Sequence, residues 1–119
     1  MDMNGLSEMV RYVPPLDKKE RHLDRMNFAG PGTNVRLRMK MGVKPMDSLD
    51  KACYQHDLVT EPRGPYTSRG IPKKLRAADR KLMNRCDELI ARGYRPIWKA
   101  IVIRNAMEFL LRTGARGRK

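Results

Sequence analysis

Cysteine is scarce in this sequence: Cys53 and Cys86 are the only two among 119 residues. At most one bridge could form, which excludes the disulfide frameworks of small core-poor domains and leaves stabilisation to packing. Aromatic residues make up only 6%, little material for the base-stacking platforms of single-strand nucleic-acid binders, although a surface that tracks phosphates by charge needs none. Acidic residues are also few, 13 against 26 Lys plus Arg, for a formal charge of +13. Such an excess attracts nucleic acid, anionic lipid or acidic protein alike. Long apolar runs are missing too. The densest stretch, Ile97 to Leu111, is broken by Lys99, Arg104, Asn105 and Glu108, whereas a span needs about 20 mostly apolar residues. The first residues show no basic segment leading into an apolar run, so no secretory signal is expected and localisation is not legible. A soluble protein is expected.

What is present fits one small domain. Residues 1–26 mix charges with Pro14 and Pro15 and are expected to form an N-terminal arm, with a short helical turn around Asp17 to Asp24. The domain proper is placed at 27–112 and a basic tail without fixed structure at 113–119. Phe28-Ala29-Gly30-Pro31-Gly32 reads as a loop, and the alternation of apolar and basic residues from Val35 to Lys40 predicts a short extended piece. Helix signals follow. Asp47 or Ser48 can cap a first helix whose inner face carries Leu49, Ala52, Cys53 and His56. Pro62, Gly64, Pro65 and Gly70 end it in a loop. A second helix starts at Pro72 and closes at Gly93, with Leu75, Ala78, Asp79, Leu82, Cys86, Leu89 and Ile90 on one side. A third is predicted over Pro96 to Arg112, stopped by Gly114. Its polar stripe is Arg104, Asn105, Glu108 and Arg112, and the rest, Trp98 included, is expected in the core. The fold class is therefore mainly α.

Asp79 is the odd member of an apolar face, and a carboxylate there is costly to bury without a partner. His56 is the matching polar intruder on the first helix. If the two helices pack antiparallel, Asp79 can hold one imidazole nitrogen and fix the tautomer, leaving the other to act as general base on water. No serine sits in a nucleophile elbow and neither cysteine has a neighbour that would stabilise a thiolate, so a covalent route is not expected. Asp57 points about 100° around the helix from His56, toward the Gly30-Pro31-Gly32 loop. Backbone carbonyls curled by glycine, together with one carboxylate, are hard oxygen donors that select calcium over zinc. The same register leaves Cys53 and Cys86 offset by about 6 Å along the axis, which favours free core thiols over a bridge. Arg36, Arg38, Lys40 and Lys44 follow the loop and could hold anionic headgroups, each worth about 1 kcal/mol near such a surface, with a solvated charged face an equal reading for any one of them.

Phe-Ala-Gly-Pro-Gly-Thr at 28–33, followed by Leu-Asp-Lys-Ala-Cys-Tyr-Gln-His-Asp at 49–57, resembles the phospholipase A2 superfamily, and most closely its disulfide-poor branch in parvovirus capsid proteins and related viral or invertebrate sequences. The likeness runs from about Asn27 to Leu111. It rests on the aromatic-x-Gly-Pro-Gly loop, on Asp50 six residues before the His-Asp pair, and on Ala78-Asp79-Arg80-Lys81-Leu82 as the second-helix motif. The resemblance implies a small mainly α domain with two antiparallel catalytic helices, a calcium-binding loop and a C-terminal amphipathic helix. It implies His56 as general base, Asp79 as its orienting residue, Asp57 as the side-chain calcium ligand, and Phe28, Gly30 and Gly32 as backbone carbonyl ligands. The Gly30 amide would also assist the oxyanion. The implied reaction is calcium-dependent hydrolysis of the sn-2 ester of glycerophospholipids, with a phospholipid membrane surface as substrate and a virion as a fitting context. The alternative is a catalytically weak or inactive basic module that binds nucleic acid or anionic membrane. Two positions depart from the pattern. Phe28 replaces the loop's usual tyrosine, and Thr60 stands where His-Asp-x-x-Tyr would place the tyrosine that steadies Asp79, leaving Tyr66 or Tyr94 as substitutes.

Overall fold

Helix dominates the computed structural model, which describes residues 10–30, 32–60 and 71–116. The elements are α1 (Val35–Lys40), α2 (Ser48–Thr60), α3 (Pro72–Ala91) and α4 (Ile97–Thr113), and no strand occurs among the described residues. α3 lies between α2 and α4 and packs against both. The core at their junction includes Met26, Phe28, Val35, Leu49, Cys86 and Ala100. No helix among the described residues is long and apolar enough to cross a membrane.

Local chemistry accounts for the boundaries. Asp47 caps α2, its carboxylate accepting the Asp50 amide at 2.9 Å while its carbonyl accepts from Lys51 at 2.9 Å, which satisfies donors that a helix start leaves open. Pro72 occupies the first turn of α3, where a missing N–H costs nothing. Gly93 (φ 86°) follows α3, and Gly114 (φ 72°) ends α4 in the left-handed conformation. Of the loop predicted between the first two long helices, 61–70 lies outside the described residues.

Three expectations are corrected. Val35 to Lys40 is helical, not extended. The Asn34 side chain caps it by accepting the Leu37 amide at 3.2 Å, and the helical turn places Val35 and Arg38 on the same buried side. The apolar-basic alternation misled because Arg38 is an inside residue.

Arg38 also explains why 10–26 is not an arm outside the domain. Its guanidinium donates to both carboxylate oxygens of Glu20, each at 3.0 Å, and to the carbonyls of Val13 and Pro14 at 3.0 and 2.9 Å. Glu20 and Arg38 are fully buried, as is Met26. A buried ion pair needs further hydrogen bonds to offset its desolvation, and here the N-terminal segment supplies two acceptors to Nη2, while Nη1 finds no partner among the described residues. Arg38 therefore cannot face headgroups, whereas Arg36, Lys40 and Lys44 are exposed.

The third correction concerns α4. Only Lys99, Ala100, Ile103 and Met107 of this helix are buried, a narrow stripe. Ile97, Trp98, Ile101, Val102 and Phe109 are 40–55% exposed. The helix carries more apolar surface than one neighbour covers, so Trp98 is not a core residue. Lys99 turns inward because its ammonium donates to the Asp24 carbonyl.

Candidate functional site

The site is assembled from the start of α2. Asp50, in its first turn, is fully buried and accepts three backbone amides: Phe28 at 2.7 Å, Asn27 at 2.8 Å and Met46 at 2.8 Å. Burial holds its pKa above the ordinary carboxylate value despite these three bonds. The Phe28 ring meets Tyr54 of α2 edge-to-face, centroids 4.7 Å apart. The glycine loop is thus tied to the helix that carries His56.

Both described glycines of that loop are required. Gly30 has φ 151°, and a Cβ there would lie 1.6 Å from the Arg21 carbonyl oxygen; Gly32 has φ 75°, with its Cβ 2.2 Å from that of Lys19. Side chains at these positions would push the loop off the 19–22 segment. Thr33 donates its hydroxyl to the Gly30 carbonyl at 2.9 Å, closing the loop on itself. Pro31 lies outside the described residues.

His56 and Asp79 meet as the apolar-face argument predicts. His56 Nε2 lies 2.7 Å from Asp79 Oδ1, with Asp79 fully buried. At hydrogen-bond distance from the Asp79 carboxylate, Nε2 carries the proton of the neutral ring, which leaves Nδ1 as the nitrogen able to act as base. Nδ1 lies 3.6 Å from Asp57 Oδ1 and 3.3 Å from the Thr60 hydroxyl, which itself donates to the His56 carbonyl at 3.1 Å. Burial alone would lower the His56 pKa, but the bonds and charges of Asp57 and Asp79 outweigh it and hold it above the ordinary imidazole value.

A second contact to Asp79 was not foreseen. Arg116 Nε donates to Asp79 Oδ2 at 3.1 Å, so the first residues of the expected basic tail belong to the site. Gly114 makes this possible, its left-handed turn carrying the chain back from the end of α4. The helix stop was readable in the sequence, but nothing in a run of basic residues distinguishes the one that turns inward. Of the two tyrosines considered for Asp79, Tyr94 donates instead to Asp47 at 2.6 Å, and Tyr66 lies outside the described residues.

Phe28, Gly30, Gly32, His56, Asp57 and Arg116 line a single cavity of about 470 Å³, walled further by Leu23, Leu82, Val102, Ile103, Met107 and Leu110. Every described residue assigned to a cation or a base from the sequence is therefore in one place. Backbone carbonyls and the Asp57 carboxylate are oxygen donors of the chemical type that suits calcium. No group of three or more His, Cys, Asp or Glu side chains able to hold a metal occurs among the described residues. A second cavity of about 520 Å³ also touches His56, between Gln55, Val59, Lys81 and Arg85, but includes neither Asp57 nor the loop. Cys53 and Cys86 are buried free thiols. Burial pushes Cys86 up to about 11 and Cys53 well above the ordinary thiol value, so neither is a nucleophile at neutral pH.

Comparison with protein-family models, curated proteins and solved structures finds no match.

Proposed function

We propose that this chain is a calcium-dependent phospholipase A2-like hydrolase that cleaves the sn-2 ester of glycerophospholipids with water activated by His56. One observation carries the reading: His56, held from behind by buried Asp79, lines the same cavity as the glycine loop and Asp57. Asp79 keeps the proton on Nε2, so Nδ1 takes a proton from water as that water attacks the ester carbonyl. The same nitrogen position then returns the proton to the leaving alkoxide. The apolar wall of Leu82, Val102, Ile103 and Leu110 matches an acyl chain and excludes bulk water from the ester. The carbonyls of Phe28, Gly30 and Gly32 and the carboxylate of Asp57 would hold calcium. Bound there, the ion supplies Lewis-acid polarisation of the ester carbonyl and neutralises a substrate phosphate.

The deciding experiment is fatty-acid release from mixed phospholipid vesicles by wild type and His56→Gln, with calcium or EDTA. Release that requires calcium and falls at least about a hundredfold on loss of the base supports the proposal. Release indifferent to both would sink it. The charge of +13 and the exposed Arg36, Lys40 and Lys44 favour a second reading, a basic module binding nucleic acid or anionic membrane. Under it His56→Gln binds as wild type does and neither releases fatty acid.

A further inference from the structure

Asp79 has two carboxylate oxygens and no exposure to water, so both need partners within the protein. Oδ1 faces His56 Nε2 at 2.7 Å and Oδ2 accepts from Arg116 Nε at 3.1 Å. A buried carboxylate held at one oxygen alone could turn about its own Cβ–Cγ bond and let the imidazole turn with it. Among the described residues, the two other polar groups considered for Asp79 do not serve this role. The Thr60 hydroxyl is engaged by His56 itself, and Tyr94 by Asp47. Gly114 brings Arg116 back from the end of α4, and its side chain is 24% exposed on the wall of the same cavity.

We infer that Arg116 is a positioning residue, its guanidinium clamping Asp79 Oδ2 so that Oδ1 stays on His56 Nε2 and Nδ1 stays turned toward the cavity. The inference deepens the hydrolytic reading and rests on it for its catalytic consequence, but the clamp itself is a property of three side chains. Arg116 does not touch the ester; it acts through Asp79 and then His56. A lysine at 116 keeps the charge and can still donate to Asp79, but without the planar guanidinium, and so retains part of the clamp.

The test uses the full chain as wild type, Arg116→Gln, Arg116→Met and Arg116→Lys, with helix content compared by circular dichroism. The methionine variant keeps the aliphatic stem and serves if glutamine perturbs the fold. In proton NMR the His56 Nε2–H, identified by its absence in His56→Gln, is expected as a slowly exchanging low-field signal in wild type. It should broaden into solvent exchange in the glutamine and methionine variants and return in part with lysine. In the calcium-dependent vesicle assay kcat should fall about ten- to a hundredfold in those two variants, the scale of losing an outer partner of a functional histidine, with KM unchanged and partial recovery in Arg116→Lys. A ring-proton signal missing from wild type, or unaltered in Arg116→Gln, overturns the inference whatever hydrolysis does. So does an unchanged kcat in an active enzyme. A wild type that shows the signal but releases no fatty acid refutes the hydrolytic reading, and the ring-proton comparison alone then decides the clamp.

Discussion

Glu20 is a fully buried carboxylate paired with an equally buried guanidinium. Burial would raise its pKa, but the hydrogen bonds from Arg38 and the Leu16 and Asn34 amides, with the Arg38 charge, hold it below the ordinary value of 4.5. A carboxyl group depressed in the folded state stabilises the fold at pH values above its unfolded pKa, and that contribution is lost as pH falls through the folded pKa. Glu20→Gln should therefore cost about 3–5 kcal/mol at pH 7, where it leaves a buried guanidinium unpaired. The gap to wild type should narrow in urea melts below pH 4.5, the ordinary value of this carboxyl; a gap that is constant with pH would show that Glu20 is not ionised in the fold. Residues at this scale were unevenly legible. His56 and Asp79 stood out because each is polar on an apolar helical face, a pattern visible in one dimension. Glu20, Arg38 and Arg116 look like ordinary charged residues in the sequence, and only tertiary neighbours 18 to 37 positions away give them their roles.

Among the elements, α4 separates periodicity from burial most clearly. Ile103 and Met107 are buried, whereas Ile101 and Phe109 on the same helix are 40% and 55% exposed. Ile103→Ala should then destabilise by about 2–4 kcal/mol through lost transfer and a residual cavity. Ile101→Ala and Phe109→Ala should stay within about 0.5 kcal/mol, as exposed substitutions usually do. Thermal and urea melts of the three variants check this; equal losses would place the broad apolar face in the core after all. The three long helices were legible because capping residues, proline at a first turn and glycine after a last turn mark their ends locally. α1 was not, since six residues alternating apolar and basic suit strand or helix equally, and the Asn34 cap with the inward Arg38 decides. How much of α4 is covered was also hidden, because hydrophobicity shows which surfaces favour burial but not how many neighbours there are to bury them.

The whole molecule carries +13 charges on 119 residues. Binding to vesicles containing anionic lipid should weaken steeply between about 0.05 and 0.5 M salt as the Debye length shortens, and His56→Gln should follow the same curve, since the pair is buried. Sedimentation of both proteins with vesicles checks this; salt-independent binding would shift the attraction from charge to the apolar surface of α4. The general architecture, helical and without a disulfide framework, followed from composition and period, but the integration of residues 10–26 did not, because irregular backbone has no period to read.

Asp50 has a consequence for how such a molecule fails. One carboxylate joins the glycine loop to the helix that carries His56, so under the proposed hydrolytic reading heat or denaturant should not degrade cation binding and proton transfer by separate routes. Partial inactivation should then be a matter of headcount: a smaller number of fully competent molecules, each working at its original rate, and no population of half-assembled ones working slowly.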